Sequence, residues 1–127
     1  YPNKDVKDGF FYDDKVELNL GGAKIATGTY VGTGTYGSSN PNTLTFGFTP
    51  KLVFIKNNNK NQANWVRYQS IIYWGHKYNV SAYLDGNTLY NISCGYSGNT
   101  LNWYAVQGDQ YGQLNESNVE YTWVAIG

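Results

Sequence analysis

The stretch from residue 43 to residue 57 constrains the fold more than any other part of this chain. Residues 43–49 alternate apolar side chains with Thr and Gly, the period of a half-buried β-strand. Pro50 ends that strand because proline has no backbone N–H to donate. Residues 52–55 form a continuous apolar run, which is typical of a strand buried on both faces. We therefore predict two strands with a bend between them and a core built against this pair. The apolar residues expected in or lining that core are Leu44, Phe46, Phe48, Leu52, Val53, Phe54, Ile55, Trp123, Val124 and Ile126.

The rest of the chain predicts further strands and no helix of three turns. Its 13 Tyr, 4 Trp and 15 Gly favour strands joined by tight turns. Strand-like segments recur about every 8 to 12 residues, and Asp85-Gly86-Asn87 is a hairpin signal between two of them. This spacing predicts an all-β fold, an antiparallel β-sandwich of the jelly-roll-like type, over residues 26–127. The charged residues 1–25 are predicted to be a connector that packs one strand on this domain or on a neighbouring subunit.

Composition argues against several classes of protein. The 9 basic and 9 acidic residues leave no basic stripe for nucleic acid. No stretch approaches the roughly 20 apolar residues of a membrane helix, so membrane insertion is not expected. Because the chain begins with Tyr1 and contains no Met, we interpret it as a fragment of a longer protein.

Cofactor and metal sites are not expected either. The letters of residues 32–37 match the glycine pattern of dinucleotide-binding loops, but a strand pattern follows where that motif needs a helix. Cys94 is the only cysteine, so it cannot form an internal disulfide and is insufficient for a metal site. We expect Cys94 to be a small buried hydrophobe.

Four segments make the sequence resemble a known module. These are Gly28-Thr29-Tyr30-Val31-Gly32-Thr33-Gly34, Leu44-Thr45-Phe46-Gly47-Phe48-Thr49-Pro50-Lys51-Leu52-Val53, Leu114-Asn115-Glu116-Ser117 and Tyr121-Thr122-Trp123-Val124-Ala125-Ile126-Gly127. They are similar to the C-terminal module of phage tail-fibre and receptor-binding proteins, and residues 56–113 match it loosely. The resemblance implies a β-sandwich presented as a homotrimer at the tip of a virion tail, with no catalytic motif to transfer. Zero net charge and the apolar cluster Phe10-Phe11-Tyr12 also favour a homotrimer.

The predicted ligand is a carbohydrate of the host cell surface. Three polar loops, residues 57–64, 75–79 and 108–113, contain or adjoin aromatic residues. Flat aromatic faces beside hydrogen-bonding side chains suit a saccharide, whose C–H faces stack while its hydroxyls form hydrogen bonds. The residues predicted to bind it are Asn64, Trp65, Trp74, His76, Tyr78, Asp109 and Tyr111.

Two alternative functions stay open on the sequence alone. Glu116 and Glu120 could serve as the acid and base of a small glycan depolymerase, which needs two carboxylates about 5–9 Å apart. The chain could instead be a structural, trimerising fibre cap without a ligand. The binding function is the one predicted, with no catalytic residue assigned.

Overall fold

The structure, a computed structural model, describes residues 11–12, 15–20, 22–58, 68–83 and 88–127, and for residues 11–20 it describes the backbone alone. These residues contain strands and no helix, which confirms the predicted all-β class. The strands are β1 (Phe11–Tyr12), β2 (Lys15–Leu20), β3 (Ala23–Val31), β4 (Asn42–Thr45), β5 (Leu52–Asn57), β6 (Tyr68–Tyr73), β7 (Tyr78–Tyr83), β8 (Leu89–Ser97), β9 (Thr100–Ala105) and β10 (Glu120–Ile126).

The described strands form one antiparallel sheet in the order β1-β2-β3-β10-β5-β6-β7-β8-β9-β4. From β5 to β9 each strand pairs with the next along the chain, as in a meander. The final strand, β10, inserts between β3 and β5. The chain's last strand therefore joins its first strands to the meander.

The sheet curls so that its inner face contacts itself. Tyr30 of β3 stacks on Tyr121 of β10, with ring centroids 5.1 Å apart, and meets the edge of Trp103 of β9 at 6.2 Å. Phe46, which follows β4, packs edge-to-face on Trp123 of β10 at 5.1 Å. Because five strands separate β3 from β9 in the sheet order, the contact between Tyr30 and Trp103 requires strong curvature. The core lies inside the curl.

The expectation that β5 is buried on both faces is wrong. Val53 and Ile55 are buried, whereas Leu52 and Phe54 are half-buried on the opposite face. β5 is flanked within the sheet by β10 and β6, and its outer face is only partly shielded from solvent. In this protein a continuous apolar run therefore indicates a strand whose outer face is apolar but only partly buried.

The predicted core is correct for one face of the sheet. Phe46, Phe48, Val53, Ile55 and Trp123 are buried, and Leu44 packs against them. Leu52, Phe54, Val124 and Ile126 are half-buried, and the last two follow the same alternation on β10.

The first predicted strand is shorter than expected. β4 ends at Thr45, and both Phe46 and Phe48 are buried in irregular chain that follows it. β4 also lies at the edge of the sheet, paired with β9, and not beside β5. Residues 43–49 and residues 52–57 thus contribute to the core from different places in the sheet.

The N-terminal segment extends the sheet. β3 crosses the predicted boundary between residues 25 and 26, and β2 pairs with it from Val16 to Leu20. Residues 16–20 thus add a strand to the same sheet. Within the predicted apolar cluster, Phe11 and Tyr12 form β1, and Phe10 lies outside the described residues.

Candidate functional site

A groove of about 540 Å³ runs across the outer face of β5, β6 and β7. Phe54, Ile71 and Val80 are register partners on these neighbouring strands, so their side chains form one row on that face. Ile71 and Val80 are both exposed, although they are apolar. The floor of the groove is therefore a row of apolar side chains that is accessible to water.

Exposed aromatic rings form one end of the groove. The side chains of Tyr73 and Tyr78 are 51% and 56% exposed, and the Tyr73 and His76 ring centroids are 5.8 Å apart. The ammonium of Lys77 lies 5.4 Å from the centroid of the Tyr78 ring, a cation–π distance. These rings offer flat faces to a ligand that enters from solvent.

The turn between β6 and β7 is held firmly by hydrogen bonds. Gly75 adopts a φ of 92°, which a residue with a side chain rarely tolerates. The buried Asn79 accepts a bond from the Tyr73 N–H at 3.0 Å and donates to the His76 carbonyl at 3.3 Å. The hydroxyl of Tyr96 donates to the same carbonyl at 2.6 Å. The backbone of the turn that carries these rings is therefore fixed before a ligand arrives, which lowers the entropy cost of binding.

Polar side chains form the other end of the groove. Lys56 and Gln69 are register partners on β5 and β6 and are both exposed. Four positions along β5 separate Lys56 from Leu52, the partner of Tyr73, so the two ends lie about 13 Å apart at 3.3 Å per residue. The groove thus combines an apolar floor with hydrogen-bonding groups at both ends.

The structure brings together two of the predicted site residues, His76 and Tyr78, both of which line the groove. Trp74 does not line it. Its half-buried ring packs on Tyr96, with centroids 4.7 Å apart, and on Phe46 at 6.0 Å. Trp74 therefore supports the turn from the core side.

Asp109 and Tyr111 do not line the groove. Asp109 accepts bonds from the Tyr111 and Gly112 N–H groups at 3.0 and 2.9 Å and from the Tyr90 hydroxyl at 3.3 Å. Tyr90 is the register partner of the buried Ser81 and packs on the buried Tyr68 at 5.4 Å, so Asp109 lies on the core side of the sheet, whereas the groove is on the outer face. The hydrogen bonds of the Asp109 side chain thus stabilise the loop to which it belongs. The other two predicted residues, Asn64 and Trp65, lie outside the described residues.

Sequence reasoning missed the other ten residues that line the groove, among them Lys56, Gln69, Ile71 and Tyr73. The available signal was the alternation in β6, where Tyr68, Ser70 and Ile72 are buried and the intervening residues are exposed. A strand with apolar residues on both faces of that alternation presents one apolar face to something other than its own core.

Sequence reasoning also missed a buried polar clamp. Gln113 accepts bonds from the Gly37 and Ala105 N–H groups at 2.8 and 3.0 Å and donates to the Asn40 carbonyl at 2.7 Å. Asn115 donates to the Thr35 carbonyl at 2.8 Å.

This clamp holds the loop of residues 32–41 over a second, smaller groove of about 270 Å³. The loop precedes β4, so its glycines do not open a helix. Every polar atom of the Gln113 amide is bonded within the protein, which indicates a structural role.

The two glutamates considered for catalysis lie outside both grooves. Burial raises the pKa of Glu116, while a 3.5 Å hydrogen bond from Asn57 opposes the rise. Glu120 accepts a bond from Asn58 at 3.2 Å. Neither glutamate lines a groove in which a glycan could lie between them.

No protein-family model, curated protein or solved structure matches the chain. Across the described ranges, no helix is long and apolar enough to cross a membrane, and no three potential metal ligands cluster. The groove chemistry and the sequence motifs are therefore the basis for a functional proposal.

Proposed function

We propose that this chain is a non-catalytic carbohydrate-binding module that recognises a glycan of a host cell surface. The observation that carries the proposal is the pair of exposed tyrosine rings, Tyr73 and Tyr78, at one end of an apolar groove. Sugar C–H faces stack on such rings, and hydroxyls bond to groups such as Gln69 and His76. A groove of about 540 Å³ is within the usual range for ligand sites.

We propose further that the module is a jelly-roll-like β-sandwich that acts as a homotrimer at the tip of a virion tail. The cross-sheet contacts Tyr30–Trp103 and Phe46–Trp123 support two packed layers, and the sequence motifs support the tail-tip location. Three copies would strengthen weak single-site binding through avidity. Sedimentation at three times the 14.3 kDa chain mass would support the trimer, and a 14.3 kDa species would contradict it for this chain.

The binding proposal is tested with the variants Tyr78→Ala and Tyr73→Ala. Each should weaken binding to host cells or purified surface glycan about 5- to 30-fold, because each removes one stacking contact worth about 1–2 kcal/mol. Tyr36→Ala is the matched control, since Tyr36 is 49% exposed but lies on the loop of residues 32–41, outside the groove. Circular dichroism verifies folding.

Two results would contradict the proposal. Unchanged binding by both folded groove variants would show that the groove is not the site. Release of reducing ends from the glycan by the parent chain would show catalysis, the alternative in which Glu116 and Glu120 act.

A further inference from the structure

The groove carries positive charge without a neighbouring carboxylate in its lining. Among its described lining residues, the ionisable side chains other than tyrosine are Lys56 and His76. Lys77 adds a third basic group at the aromatic end, where its ammonium lies over the Tyr78 ring. A groove that has a basic group at each end and no carboxylate among its described lining residues favours an anionic ligand.

The described carboxylates are engaged elsewhere. Asp109 is bonded within its own loop and to Tyr90, which packs on the core side of the sheet. Glu116 is bonded by Asn57. Glu120 comes nearest to Lys56, since it lies two positions from Thr122, the register partner of Lys56, but its carboxylate accepts a bond from Asn58. None of these three carboxylates lines the groove.

We infer that the ligand is an acidic saccharide, one that bears carboxylate or phosphate groups. This inference rests on the proposed carbohydrate-binding function and adds its chemical class. Lys56 and Lys77 bracket an apolar floor about 13 Å long, so an extended chain can stack on Tyr73 and Tyr78 while its anionic groups meet both lysines. Exposed ammonium groups are screened over about 8 Å at physiological ionic strength, which makes such binding sensitive to salt.

The experiment compares three probes with the full chain: dextran as a neutral polymer, polygalacturonate as a carboxylate polymer and poly(glycerol phosphate) as a phosphate polymer. Binding is measured at low and high NaCl for the parent, Lys56→Gln and Lys77→Gln. Lys24→Gln is the matched control, because the Lys24 ammonium also lies over an aromatic ring, Phe48 at 5.9 Å, but outside the groove.

We expect at least one acidic polymer to bind about 10-fold or more tightly than dextran at low salt. Each groove variant should weaken that binding about 3- to 5-fold and Lys24→Gln should not, and high salt should reduce the preference. Tighter binding of polygalacturonate would indicate recognition of carboxylate groups, and tighter binding of poly(glycerol phosphate) would indicate recognition of phosphate groups.

The outcomes separate this inference from the proposed function. Equal binding of dextran and acidic polymers, lost in Tyr78→Ala but not in the lysine variants, overturns the inference and leaves the binding function standing. An equal effect of Lys24→Gln and Lys77→Gln indicates non-specific attraction and overturns the inference. Acidic binding that depends on the lysines but not on Tyr73 or Tyr78 overturns the proposed saccharide site. Groove variants that change the sedimenting mass instead of binding identify the groove as a subunit interface and overturn both.

Discussion

The amide of Gln113 is fully buried, and both of its polar atoms have two partners inside the protein. It bonds the loop of residues 32–41 and β4, which lie more than 70 residues earlier in the chain, to Ala105 of β9. A buried amide stabilises the fold only while each of its hydrogen-bonding partners is present. Each buried donor or acceptor that loses its partner costs about 1–3 kcal/mol of stability.

The variant Gln113→Ala is therefore expected to destabilise the fold by about 2–4 kcal/mol, because it leaves the Gly37 and Ala105 N–H groups without their acceptor. Urea denaturation measures the change in the free energy of unfolding. Gln107→Ala is the control, since Gln107 is exposed. A decrease below about 0.5 kcal/mol for Gln113→Ala would show that water replaces the amide and that the clamp is unimportant.

At the residue scale the sequence indicated the burial of Cys94 but not the role of Gln113. A single small thiol among strand-forming residues is typical of a core position, and Cys94 is buried as predicted. Burial also raises the pKa of its thiol. The role of Gln113 depends on partners at residues 37, 40, 42 and 105, which only the folded chain brings together.

At the scale of the element, two adjacent apolar residues of β5, Phe54 and Ile55, lie on opposite faces of the sheet. Ile55 is 1% exposed within the core, whereas Phe54 is half-buried and lines the groove. Truncating a side chain costs more when that side chain is fully buried and its removal leaves a cavity that the surrounding residues cannot fill. The smaller of these two side chains should therefore contribute more to stability.

We expect Ile55→Ala to destabilise the protein by about 2–5 kcal/mol and Phe54→Ala by about 1–2 kcal/mol. Phe54→Ala should instead weaken glycan binding, because it removes part of the floor of the groove. Urea denaturation of both variants supplies the comparison. If Phe54→Ala destabilises the protein more than Ile55→Ala does, the outer face of β5 is covered in solution, as in an oligomer.

The strands were predicted well because their signals are local. β7 and β8 pair antiparallel on either side of the predicted hairpin signal at residues 85–87, since alternation and Gly or Asn turns specify strands directly. The order of strands was not predictable in the same way. Nothing local indicates that β10 lies between β3 and β5 or that β4 pairs with β9.

At the scale of the whole molecule, the candidate site is a surface made by three strands, and the sequence indicated only its turn. His76 and Tyr78 were predicted because they flank a glycine turn with aromatic neighbours. Ile71 and Tyr73 were missed because an apolar residue on the outer face of a strand has the same local pattern as a core residue. Which face is covered is decided by how the whole sheet curls.

The curl itself depends on buried tyrosines, and this predicts how stability varies with pH. Burial raises the pKa of Tyr30, Tyr68 and Tyr121 well above the usual value near 10. It also raises the pKa of Tyr96 to about 12. Between pH 10 and 12 the unfolded chain loses these protons while the folded chain keeps them, so the folded state binds more protons there. Stability is then fully present below about pH 10 and falls as the pH rises.

The free energy of unfolding should be steady from pH 8 to 9.5 with respect to these groups and then fall, by up to about 1.4 kcal/mol per pH unit for each buried tyrosine. Urea denaturation at pH 8, 9.5 and 11 measures this slope. Tyr30→Phe should lower the stability at pH 8, because it removes the 2.8 Å bond from the Tyr30 hydroxyl to the Leu114 carbonyl. The same variant should lose less stability than the parent between pH 9.5 and 11, because one titrating group is gone. An equal decrease in both proteins would show that Tyr30 titrates normally in the folded state, and that its ring does not close the curl against Tyr121 and Trp103 in solution.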